Sequence, residues 1–101
     1  MDEERFLALV GRLQEAYPEP LDAVQAAVLI ACSLGLCSNS RSFARWFDIS
    51  HSLALRACHQ LADGDPLIEI LDRDEKTQRQ TYRLTDTGHA AISRVTSEVP
   101  D

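Results

Sequence analysis

The spacing of apolar residues shifts from a helical to a strand period part-way along this chain, and that change limits the folds open to it. Up to Ala62 the apolar side chains recur at helical intervals. Beyond Asp63-Gly64-Asp65-Pro66, Ile68 and Ile70 alternate with Glu69, and Tyr82 and Leu84 alternate with Thr81 and Arg83. A period of 3.6 presents one stripe of a helix to a core, whereas a period of two presents one face of a strand. The Asp-Gly-Asp-Pro run stops any helix at the boundary. Between the alternating runs, Asp72 to Gln78 are polar and charged throughout, so 68–84 is predicted as a two-stranded antiparallel hairpin with an exposed, mobile tip.

The helical portion divides at its capping and breaking residues. Residues 3–17 read as an amphipathic helix with Asp2 as N-cap and Phe6, Leu9, Val10, Leu13 and Tyr17 on one stripe. Pro18-Glu19-Pro20 ends it, and Pro20 is expected as the first residue of the next helix. That second helix, 21–34, is apolar on most sides, which marks it as central. Gly35 closes it, and Ser40 is expected to cap a short helix over 41–47, with Phe43, Ala44 and either Trp46 or Phe47 buried. Asp48-Ile49-Ser50 is a tight connection, and Ser50 caps a helix over 51–62. Ala54, Ala57, Cys58 and Leu61 share one face of that helix. His51, Ser52, Leu55, Arg56, His59 and Gln60 lie on or near the other. Thr85 caps a last helix, 86–97, with Ala91, Ile92 and Val95 apolar, and the final residues are expected to fray. The fold class is therefore mainly α with a small β-hairpin (α+β), in one continuous domain.

Charge is distributed unevenly over these elements. The 101 residues carry a formal charge of −6, which repels a phosphate backbone at long range. Residues 1–24 hold two arginines against six acids, and residues 62–101 hold five basic against nine acidic side chains. Residues 25–61 are the exception: Arg41, Arg45 and Arg56 stand against Asp48 alone, a net charge of +2. His51 and His59 add to this stretch when protonated.

Several passages, taken together, resemble a winged helix-turn-helix domain. Phe43-Ala44-Arg45-Trp46-Phe47-Asp48-Ile49-Ser50 resembles the segment joining the two helices of that motif, and Ser50 to Arg56 is similar to the start of a recognition helix. Leu61, Gly64 and Leu67-Ile68 are similar to the helix end and first wing strand. Tyr82-Arg83-Leu84-Thr85-Asp86-Thr87-Gly88-His89 resembles the passage closing the wing in MarR-like and PadR-like regulators. The resemblance covers 21–84 and implies that helix 51–62 enters the major groove of double-stranded DNA while the hairpin touches adjacent backbone. It implies a sequence-specific transcriptional regulator, a repressor occupying its operator. His51, Ser52, Leu55 and Arg56 would read bases, Arg41 and Arg45 would hold phosphates, and Arg73, Lys76 and Arg79 would be wing contacts. Leu53 and Leu55 depart from the polar base-readers such a helix usually presents. They keep a rival open: a winged helix that binds protein and not DNA.

Regulators of this kind usually pair through helices outside the motif. The stripe Phe6, Leu9, Val10, Leu13 and Tyr17, with Ile92 and Val95 of the last helix, is expected as a homodimer interface, because large exposed apolar patches are uncommon on monomers. The competing expectation folds helix 3–17 back on 21–34 within one subunit.

Other chemistry finds little support. Three cysteines without CxxC spacing fit reduced thiols, and Cys37, Cys58, His51 and His59 match no zinc pattern. Cys58 is expected buried, whereas Cys37, in a turn, is a candidate exposed thiol. There is no Gly-rich phosphate loop, HExxH or GxSxG, and Asp86-Thr87-Gly88 and His89 read as helix cap and solvated helix residue, so no enzyme, cofactor or metal is expected. The longest apolar run, around Ala26–Ala31, is far short of a spanning helix, and an acidic start in place of a basic leader points to the cytoplasm.

Overall fold

A computed structural model describes residues 2–96. Its elements are α1 (Glu3–Ala16), α2 (Ala23–Ser33), α3 (Ser40–Phe47), α4 (His51–Ala62), β1 (Ile68–Arg73), β2 (Gln80–Leu84) and α5 (Asp86–Thr96). This is the expected winged-helix layout, mostly helical with one antiparallel hairpin. The fraying anticipated for the last residues falls outside the described span. None of the described helices is long and apolar enough to cross a membrane.

Helix α2 is the hub. Ala26 to Ala31 are all buried, and α1, α4, α5 and β2 pack around them. Fully burying a Val, Leu or Ile side chain stabilises by about 1.5–3 kcal/mol, so Val28, Leu29 and Ile30 anchor every neighbour at once. The start of α2 corrects one expectation. Pro20 stays outside the helix, which begins at Ala23 under a capping box: Asp22 Oδ1 accepts from Gln25 N at 2.8 Å, and Gln25 Oε1 accepts from Asp22 N at 2.9 Å. That reciprocal pair satisfies two orphan helix-end donors, which proline has no means to do. The loop before it is tied to α1 by Gln14 Nε2 donating to Leu21 O.

The hairpin pairs Ile68 with Leu84, Glu69 with Arg83 and Ile70 with Tyr82. A bulge between Ile70 and Asp72 then shifts the register so that Arg73 meets Gln80. Ile68, Tyr82 and Leu84 face the core as their alternation requires, while the bulge leaves Leu71 51% exposed. The outer edge of β2 is not bare: Tyr82 N donates to Ser38 O, and Asn39 bridges Thr81. Helix α5 turns back beneath the hairpin, capped by Thr85, whose hydroxyl accepts from Gly88 N and donates to Pro66 O.

The α1 stripe is where the expected placement of the dimer interface is corrected. Phe6, Leu9, Val10 and Leu13 are buried at 1–5% exposure inside the protomer, against α2 and α5, and Ile92 and Val95 of α5 are buried with them. Tyr17 is half-buried against the same core. The apolar surface that a second copy was expected to cover is already covered by α2, which has apolar groups on every side.

Candidate nucleic-acid interface

The α3–α4 unit is built from local hydrogen bonds. Asn39, not Ser40, caps α3, its Oδ1 accepting from Ser42 N at 2.8 Å. Asp48 ends α3 in the left-handed region (φ 57°), and Ile49 N returns to Ala44 O. Ser50 then caps α4 as expected, accepting from Leu53 N. Ala54, Ala57, Cys58 and Leu61 are the buried face of α4, so its outer surface is set by default: Ser52, Leu53, Arg56, His59 and Gln60 are exposed, with His51 and Leu55 half-buried.

Arg41 and Arg45 lie a helical turn apart on the exposed side of α3, and Arg56 stands on α4. All three are solvent-exposed and form no ion pair among the described residues, in contrast to Arg83, which is paired across the hairpin with Glu69 at 2.9 Å. Arg41 is close enough to the start of α4 to act on His51 electrostatically. These unpaired guanidiniums are the ones positioned to meet phosphate or a base edge.

The histidines are placed differently from expectation. His51 Nε2 is bonded to the buried Ser40 Oγ at 2.8 Å, and burial, helped by Arg41, holds its pKa below the ordinary histidine value. It therefore adds no charge at neutral pH and presents only its other ring edge. His59 leans towards the hairpin: its Nε2 lies 2.9 Å from the carboxamide of Gln80 and Arg73 Nη2 lies 3.3 Å from the same nitrogen. With the Gln80 carboxamide turned so that its oxygen meets donors, that oxygen accepts from His59 Nε2 and from Arg73 Nη2 at 2.8 Å. Arg73, expected at the phosphates, instead fastens the wing to α4. Gln60 is likewise occupied, accepting from Gln25 Nε2 on α2.

Lys76 and Arg79 remain exposed on the wing. The tip is exposed, as expected, but closed by hydrogen bonds. Asp74 Oδ1 accepts from Lys76 N and Thr77 N, which pulls its pKa down, and Gln78 N bonds Asp74 O with Gln78 in the left-handed region.

Two polar residues hold the unit together in a way the sequence reading did not assign to them. Ser40 and Gln80 are the buried polar side chains of the unit, and Gln80 N donates to Ser40 Oγ at 2.9 Å. Together they lock α3, α4 and β2. The signal for Gln80 lay in the alternation itself, since it shares the inward phase of Tyr82 and Leu84. Cys37 is corrected: it is buried, and burial raises its pKa, so it carries no accessible thiolate. Cys58 is buried as expected, its pKa pushed up to about 12. No cluster among the described residues is placed to hold a metal ion. Comparison with protein-family models, with curated proteins and with solved structures returned no match.

Proposed function

We propose that the domain binds double-stranded DNA as a sequence-specific transcriptional regulator, acting as a repressor that occupies its operator in the cytoplasm. What supports this reading is the set Arg41, Arg45 and Arg56: exposed, without acidic partners among the described residues, and gathered on the α3–α4 unit of an otherwise acidic chain. Helix α4 would enter the major groove, with Ser52 and Arg56 reaching base edges and half-buried Leu55 against a thymine methyl. Arg41 and Arg45 would hold phosphates, and Lys76 and Arg79 would touch the backbone beside the wing. A homodimer on a two-fold operator belongs to this reading, with a pairing surface other than the α1 and α5 stripes.

A mobility-shift titration on the DNA upstream of the protein's own coding sequence, run across a salt series, tests it. Retention should fall steeply with salt. Arg56→Ala should cost about 1–3 kcal/mol and relax specificity, whereas Arg45→Ala should weaken all sequences alike and lower the salt slope by about one. No specific retention at low salt, with a flat salt response, overturns it. One observation favours a second reading, a winged helix that binds protein: Leu53 is 47% exposed in the middle of the reading surface. That reading expects a stable heterocomplex that Leu53→Asp abolishes and DNA does not compete away.

A further inference from the structure

One uncovered apolar surface of the fold has no arginine in its lining among the described residues. Leu7 (51% exposed), Leu36 (43%) and Trp46 (47%) stand around a groove of about 460 Å³ floored by Phe6 and Phe47. Its remaining lining is Asp2, Glu3 and Asp48, and no cationic side chain lines it among the described residues. Helical spacing explains the sign. Leu7 shares its flank of α1 with Glu3 and Glu4, while Arg5 and Arg12 fall on the opposite flank. On α3, Trp46 points away from the side that carries Arg41 and Arg45. The negative end of the α3 dipole, where Asp48 sits, adds to the same field.

From this charge pattern we propose that the groove docks a basic amphipathic segment of a partner protein: one bulky apolar side chain on the Phe6–Phe47 floor, flanked by lysine or arginine. Trp46 is prepared for the flanking cation. Phe6 meets its ring edge-on at 4.9 Å and Phe47 stacks beside it at 5.9 Å, which fixes the indole while leaving Trp46 47% exposed to a guanidinium. A small ligand is a poorer fit, because such ligands bury most of their own surface in a recess. Here the large apolar groups stand proud and need something wider to cover them. A second copy of this chain is also a poorer fit, since two-fold pairing of the patch would set Asp2, Glu3 and Asp48 against their own counterparts.

Trp46 is the only tryptophan, so its emission reports on the groove directly. The probe is a synthetic helical peptide of leucine and lysine, with a leucine–glutamate twin as control. The lysine peptide should shift Trp46 emission to the blue in a saturable, salt-sensitive manner, and the glutamate twin should not. Leu36→Ser should weaken binding roughly tenfold while leaving the melting temperature and DNA retention unchanged, and Glu3→Gln, away from the α3–α4 unit, should weaken it in the same direction. The independence from DNA retention keeps a failure here separate from a failure of the DNA-binding reading. The proposal is overturned by an unshifted emission, by equal binding of the glutamate twin, or by variants that bind like the wild type. A blue shift that grows with protein concentration alone overturns it too, by assigning the groove to a second copy.

Discussion

Gly88 occupies a position where a β-carbon would overlap the Leu67 carbonyl oxygen and crowd Leu84 Cδ2. The first neighbour is backbone and cannot step aside, because Leu67 O already accepts from Thr85 N. Gly88→Ala should therefore destabilise by about 1–3 kcal/mol, a fall in melting temperature of roughly 4–8 °C per kcal/mol for a chain of this size, measured by thermal circular dichroism. At His51 the consequence is one of pH. Its folded pKa lies below the unfolded value near 6.5, so the unfolded chain binds more protons as pH falls past that value. The stabilisation is complete above about pH 6.5 and drains away towards the folded pKa. Wild type should lose more melting temperature between pH 7.5 and 5 than His51→Gln; equal losses would remove His51 from the account. The sequence showed that a cap was needed before α3 but not which residue supplied it. Asn39 and Ser40 are both good N-caps, and the choice falls to Asn39 because the Ser40 hydroxyl is engaged by Gln80 and His51, neither of them local in sequence.

The hairpin existed in the sequence as a change of period, and its strands fall where the alternation placed them except that β1 runs on through a bulge to Arg73, two residues into the expected tip. What alternation does not carry is attachment. The wing is held to α4 by Gln80, His59 and Arg73, and to α3 by the Ser40 hydroxyl. The pairing of Arg73 with Gln80 depends on a bulge that no residue type signals. Ser40→Ala would leave the buried Gln80 N–H without its acceptor, at a cost of about 1–3 kcal/mol for an unsatisfied buried donor. Hydrogen exchange should show the effect concentrated at Gln80, with β1–β2 pairing protected as before; uniform loss across α2 would instead mean that Ser40 supports the whole core. The same attachment explains why the candidate reading surface was only partly legible. A helical wheel puts His51, His59 and Gln60 on the outer face of α4, yet each is turned towards a neighbouring element by a hydrogen bond. Arg41, Arg45 and Arg56 keep their expected freedom because none of them forms an ion pair with a carboxylate among the described residues.

At the scale of the molecule, the amphipathic stripe of α1 was visible in the sequence but its partner was not, since the same five side chains suit a second copy or the chain's own core. The deciding residues are in α2. A helix buried from Ala26 to Ala31 needs cover on every side, and α3, α4 and the hairpin do not supply it all; α1 and α5 complete the enclosure. This reverses what a charge in the stripe should do. Were Leu13 at a two-fold interface, Leu13→Asp would give a helical monomer that melts cooperatively. Leu13 is instead 1% exposed among core residues, where an unpaired carboxylate belongs to the class of substitutions that cost more than about 4 kcal/mol. Domains of this kind have only about 5–15 kcal/mol in total. Leu13→Asp should therefore lose much of its helical signal and its cooperative melt at every protein concentration, without passing through a folded monomer. Retained helicity with a concentration-independent melt close to the wild type would return the stripe to the surface. The acidic groove at Leu7, Leu36 and Trp46 would then lose the rigid floor that Phe6 gives it.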